Sequence, residues 1–204
     1  NSGEGQVVDI SMTEGSAYLA LGVYDMAAVG DYNHERMSNV LDGGAHFYRC
    51  YETKDNKFVS IASIEAKFYD LLLEKTGLKD DVNLPDQFDQ SQWPAMSERL
   101  AAVFKTKTRD EWCEIMEGSD VCFAPVLTFN EAPDHPHNKA RGTFVDVEGV
   151  AQPNPAPRFS RTPGSVKGAA PDVGADTREG LLSWGFDAGE VDALMEDKAI
   201  GWQG

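Results

Sequence analysis

Phe47-Tyr-Arg-Cys-Tyr-Glu-Thr-Lys-Asp-Asn-Lys-Phe-Val-Ser-Ile-Ala-Ser63 carries two short strand-forming runs on either side of one polar break. Strands over about 47–52 and 57–63 are predicted, joined at Lys54-Asp-Asn-Lys57, where Asp-Asn can take the positive φ of a hairpin turn. Val59 and Ile61 alternate with Phe58, Ser60 and Ala62, as a half-buried strand requires. Downstream, Ile64, Phe68, Leu71 and Leu72 fall at helical spacing, which predicts a helix over 65–76 stopped at Gly77. Two further helices are predicted. One covers 94–105 with Pro94 in its first turn; the other covers 109–117, opened by the capping box Thr108-x-x-Glu111 and followed by Gly118. Val121-Cys-Phe-Ala-Pro-Val-Leu127 reads as a strand, and Pro125 confines it to an edge or an irregular position.

Upstream of the hairpin, Gln6-Val-Val-Asp-Ile10 reads as a short strand. Ser11-Met-Thr-Glu14 is a capping-box pattern opening a helix that runs to about Val29, with Gly30 as its stop. Tyr18, Leu19, Leu21, Val23, Met26 and Ala27 make that helix apolar nearly all round, so it expects neighbours on most sides. From about Pro133 the character changes. Thr143-Phe-Val-Asp-Val147 is strand-like, Gln152 to Gly174 is rich in Pro and Gly and reads as irregular, and two helices close the chain behind Asp176-x-x-Glu179 and Asp187-x-x-Glu190. The layout is a β-hairpin-plus-helices module between flanking segments, without internal repeats.

The chain has 34 acidic and 18 basic residues, a formal charge of −16 over 204 residues. With 41 % hydrophobic residues it can bury a core, which excludes collagen-like and disordered classes. The lack of a basic surplus argues against nucleic-acid binding. No apolar run approaches the roughly 20 residues of a membrane-spanning helix, so no membrane span is expected. Cys50, Cys113 and Cys122 form no CxxC pair, and an odd count suits thiols in a reducing compartment. The opening at Asn1, almost directly in a strand and without Met, is read as that of a fragment lacking an N-terminal portion.

Few residues announce chemistry. Asp42-Gly-Gly-Ala-His46 could form an active-site loop, but paired glycines more often serve a tight turn. His46 has the pKa of a general base yet no evident orienting carboxylate except Asp42, and is read as structural. Glu65 allows two readings: a carboxylate in a helix first turn is stabilised by the helix dipole, and a strand–helix junction is also where side chains reach into a cleft. Asp134-His135-x-His137 lacks a third ligand and a regular helical pairing across Pro136, so no metal site is expected. Cys113 and Cys122 read as core residues. The chain has no P-loop and no GxGxxG.

Leu41-Asp-Gly-Gly-Ala-His-Phe-Tyr48, Tyr51-Glu-Thr-Lys-Asp55 and Ser63-Ile-Glu-Ala-Lys-Phe-Tyr69 together resemble the α-methylacyl-CoA racemases, within the family III CoA-transferase group. The resemblance continues through His135-Pro-His-Asn-Lys-Ala-Arg-Gly-Thr-Phe144, Ala156-Pro-Arg-Phe-Ser-Arg-Thr-Pro163 and Gly174-Ala-Asp-Thr-Arg-Glu-Gly-Leu-Leu182. Two positions depart from it: His46 stands where the family usually has proline, and Asp176 where it often has histidine. The resemblance implies an α/β fold, with an α+β small domain over 41–133 and part of a doubly wound large domain in 1–40 and 134–204.

It further implies epimerisation of 2-methyl-branched acyl-CoA thioesters through an enolate, with coenzyme A entering as part of the substrate and no other cofactor. The family's histidine and aspartate that move the proton lie in the N-terminal half, so this half alone is expected to be inactive. What carries over is Glu65, matching the glutamate that orients the catalytic histidine as a triad carboxylate does. Leu41, Tyr48 and Ile64 match positions lining the acyl pocket. The intact protein is expected to be an interlocked homodimer. A CoA-transferase of the same fold and a non-catalytic oligomerisation module are the alternatives. The tail Trp202-Gln-Gly204 lacks a peroxisomal Ser-Lys-Leu, which leaves the cytoplasm as the default location.

Overall fold

The structure, a computed structural model, describes residues 3–201; the tail Trp202-Gln-Gly204, on which the expectation of a cytoplasmic location is based, lies outside them. The chain divides into two compact units, Asn1–Leu127 and Thr128–Gly204.

The first unit is built on the hairpin. Strands β1 (Tyr48–Glu52) and β2 (Phe58–Ala62) pair antiparallel, Tyr48 opposite Ala62 and Tyr51 opposite Val59. Asn56 takes the positive φ of 58° that the turn demands. β3 (Phe123–Val126) adds to the free side of β2, giving the order β1-β2-β3. Pro125 therefore sits on an edge strand, where its missing N–H removes no inner ladder bond.

One face of this sheet is covered by α3 (Ala66–Thr76), α4 (Trp93–Phe104) and α5 (Arg109–Met116). Tyr51 of β1 stacks on Phe104 of α4 with ring centroids 5.1 Å apart, and Phe104 meets Trp112 of α5 edge-on at 5.0 Å. Val59, Leu72, Leu100 and Met116 complete a core that is fully excluded from solvent. Burying an aliphatic or aromatic side chain of this kind contributes about 1.5–3 kcal/mol each. The ends of the helices are set locally. Gly77 closes α3 in the left-handed conformation at φ 74°, and the Thr108–Glu111 capping box is formed in both directions at the start of α5.

Several elements differ from the sequence reading. Residues 6–10 form no strand and are exposed, since a strand needs a ladder partner and none pairs with them here. The single helix predicted to Val29 is two, α1 (Met12–Leu19) and α2 (Leu21–Ala28), broken at Ala20, and neither holds a buried residue. Ser11 precedes α1 without making a side-chain cap bond.

In the second unit, α6 (Pro136–Arg141) starts at Pro136, the residue expected to prevent a regular helical pairing. Proline at the first helical position gives up only an N–H that would be unsatisfied anyway. β4 (Phe144–Val147) pairs with β5 (Val150–Pro153), so the Pro/Gly-rich stretch begins with a strand. The helices α7 (Thr177–Ser183) and α8 (Ala188–Glu196) are tied by an Arg178–Asp192 ion pair, and Val191 of α8 is buried. The Asp187–Glu190 box is formed, whereas Asp176 makes no cap bond.

Candidate functional site

The junction between β2 and α3 is held by four hydrogen bonds to three residues. Ser63 N–H donates to the Phe47 carbonyl at 2.9 Å and its hydroxyl to the Val121 carbonyl at 2.7 Å. The Gln87 side-chain amide donates to the carbonyls of Ser63 and Ile64 at 3.0 and 2.8 Å. The carbonyl of Glu65 then accepts from Phe68 and Tyr69 N–H at 2.9 and 3.0 Å, opening α3. Glu65 is thus the N-cap residue, one position before the first turn in which the sequence placed it, with extended φ −72° and ψ 141°.

Its side chain is exposed and makes no cap hydrogen bond. A carboxylate in this position ordinarily accepts from the second or third helical N–H. Here both oxygens stay clear of the helix start, on a backbone that is itself firmly placed. The arrangement leaves an exposed carboxylate, on a held backbone, open to a donor outside α3.

The Leu41–His46 segment is held together by Asp42. Asp42 accepts from the N–H groups of Asn39, Gly44 and Ser38 at 2.8, 3.1 and 3.2 Å and from the Asn39 amide at 2.8 Å. Burial pulls its pKa upward, but these hydrogen bonds outweigh it and hold the carboxyl below its ordinary range. Gly44 is required by space: a Cβ there would lie 2.6 Å from the Met37 carbonyl oxygen. Asp42 therefore staples the loop and does not orient His46. The His46 ring is wholly buried, its Nε2 2.8 Å from the Tyr69 hydroxyl, and burial pushes its pKa down to about 4. A base sealed into the core cannot reach a substrate.

Leu41 and Tyr48 line one cavity of about 470 Å³, together with Met37, Gly43 and residues of β1 and β2. Leu41 also borders a second cavity of about 380 Å³, with Val23 and Met26 of α2, Tyr32 and Val40. Ile64 packs against the core and is not among the lining residues of either. The structure thus brings Leu41 and Tyr48 together and places Ile64 beside Glu65 at the junction.

Cys113 and Cys122 are not activated as nucleophiles. Burial, with smaller contributions from Glu117 and Asp110, pushes Cys113 up to about 11. Burial and then Glu65 and Asp120 raise Cys122. Asp134 pairs with Lys139 at 2.8 Å. Among the described residues no group of three His, Cys, Asp or Glu side chains could hold a metal ion, and no helix is long and apolar enough to cross a membrane. The sequence reading missed Gln87 and Tyr69. Tyr69 could have been found as the residue one helical turn after Glu65, while Gln87 sits in a polar connection with no periodic signal.

The sequence model described as CoA-transferase family III matches residues 1–177. The chain belongs to the family III CoA-transferases. Within that family it is 44 % identical over 202 residues to the α-methylacyl-CoA racemase of Mus musculus and 43 % identical to that of Homo sapiens. Each alignment covers 98 % of this chain and 52 % of the relative, so the chain spans about half the length of these family III proteins. A solved CAIB/BAIF family protein from Brucella suis superposes with a TM-score of 0.66 at 20 % identity, covering 89 % of this chain and 49 % of that one. That likeness shows the fold: a mixed helix-and-strand, partial family III architecture.

Proposed function

We propose that the chain is the C-terminal half of an enzyme that epimerises 2-methyl-branched acyl-CoA thioesters. The observation that carries this reading is the 43–44 % identity to two α-methylacyl-CoA racemases across 98 % of the chain. A thioester acidifies its α-hydrogen because the enolate spreads charge onto the carbonyl oxygen. A base removes that proton from one face and an acid returns one to the other, which inverts the carbon. In this proposal both groups are encoded outside the present chain, and Glu65 accepts a hydrogen bond from the proton-transferring histidine and holds its ring in register. The uncommitted carboxylate on a fixed junction supports that role. Leu41 and Tyr48 would contact the acyl group, with Ile64 supporting Glu65. The working molecule would be a cytoplasmic homodimer.

Two measurements test the proposal. The 204-residue chain alone should give no α-hydrogen exchange with a 2-methylacyl-CoA in heavy water, and robust exchange would contradict it. In the full-length protein, Glu65→Gln should lower turnover by about 100-fold with unchanged melting, at the lower end of what a positioned acid–base group supplies. Loss of stability without loss of turnover would instead make Glu65 a helix-end residue.

The family description itself favours a second reading, CoA transfer between carboxylic acids. Transfer from an acyl-CoA to a free carboxylate by the full-length protein, without α-hydrogen exchange, would select it.

A further inference from the structure

His46 is wholly buried without a charged partner to explain it, and it bridges the sheet to the helix that Glu65 opens. On the sheet side its backbone is pinned, with the Tyr51 hydroxyl donating to the His46 carbonyl at 2.7 Å. On the helix side its Nε2 lies 2.8 Å from the Tyr69 hydroxyl, and the two rings meet edge-on with centroids 5.5 Å apart. Tyr69 is the residue whose N–H closes the first helical hydrogen bond onto the Glu65 carbonyl, at 3.0 Å.

The Nδ1 atom of His46 has no hydrogen-bond partner among the described residues. The Nε2–Tyr69 contact is therefore the one side-chain hydrogen bond of the ring among the described residues, with the donor set by the tautomer. This bond ties the turn before β1 to the first turn of α3.

We infer that His46 and Tyr69 are positioning residues: their hydrogen bond sets where the Glu65 carboxylate stands, and hence the histidine it would steer. The inference rests on the role proposed above for Glu65. Packing alone would hold the helix near the sheet, as Phe47 does against Trp93 and Tyr69. The polar bond adds a preferred rotation that interlocking rings do not.

The test is a double-mutant cycle in the full-length protein, reading kcat and KM for α-hydrogen exchange on a 2-methylacyl-CoA. Tyr69→Phe keeps the ring and removes the bond. It should lower kcat about fivefold, the factor that losing one neutral hydrogen bond corresponds to, with KM unchanged. In a Glu65→Gln background the same substitution should have no further effect, because the group it positions is gone. His46→Gln places an amide, able to donate or accept, near the Nε2 position and should retain kcat within about twofold.

If Glu65→Gln lowers kcat but Tyr69→Phe does not, or if the two effects multiply, the positioning inference is overturned and the role of Glu65 stands. It is overturned in the same way if His46→Gln is as damaging as Tyr69→Phe. If Glu65→Gln leaves kcat intact, the steering role fails and this inference falls with it. Thermal melts of each variant separate a lost fold from a lost alignment.

Discussion

Helix α4 and the pair α1–α2 are both rich in apolar residues and meet opposite fates. α4 buries Trp93, Met96, Ser97, Leu100 and Phe104, whereas α1 and α2 bury nothing, and Leu19 and Tyr24 stand 88 % and 66 % exposed. Composition does not separate them; the partner does. The apolar stripe of α4 faces a sheet whose Tyr51 and Val59 project to meet it, while the nearly continuous apolar surface of α2 faces cavity and solvent. Amphipathic patterning is thus a statement about what a helix needs, and only a neighbouring element turns the need into stability.

The largest contrast should appear in side-chain deletion. Phe104→Ala removes a ring held between Tyr51 and Trp112 and should cost about 3–5 kcal/mol in urea unfolding of the 204-residue chain. Leu19→Ala on α1 should stay within about 0.5 kcal/mol. Equal costs would mean that α1 is buried in solution and would erase the comparison.

A smaller effect comes from His46. Its folded pKa of about 4 lies below the ordinary 6.5, so the unfolded chain binds the proton first as the solution is acidified. The stability that neutral His46 contributes is complete above pH 6.5 and is lost as pH falls toward 4. The loss amounts to about 2 kcal/mol between pH 8 and pH 5. Unfolding midpoints of His46→Gln across that range should be flatter than wild type by this amount. Parallel curves would place the imidazole in water.

The helix ends should give the smallest difference. Thr108→Ala breaks a formed capping box and should cost about 1 kcal/mol, while Ser11→Ala removes a hydroxyl that caps nothing and should leave the melting temperature unchanged. A comparable drop from Ser11→Ala would show α1 to be capped and docked in solution.

The capping boxes also show where the sequence was legible. Ser11-x-x-Glu14, Thr108-x-x-Glu111, Asp176-x-x-Glu179 and Asp187-x-x-Glu190 are the same signal, yet only the second and fourth form. At α5 the box starts a helix docked on the core through Trp112, and at α8 it starts one that buries Val191. The hairpin and α3 to α5 were readable because alternation, helical spacing and stop residues agreed with one another. The strand expected at 6–10 and the continuous helix to Val29 failed because both presupposed partners that do not pack on them here. At the candidate site, the position of Glu65 after a buried strand was visible in the sequence. The Gln87 clamp was not, since it joins residues 23 and 24 positions apart with no pattern to announce it.

The loop stapled by Asp42 has one more consequence. Its hydrogen bonds span only two to four residues, and those of Asn39 to Asn33 span six, so the knot closes through local contacts alone. Such short loops close in about 10–100 ns, long before distant strands find their register. Leu41 accordingly sits in a segment whose local bonds can form before the sheet is paired, so its shape depends on six or fewer residues of neighbouring chain and not on the rest of the fold.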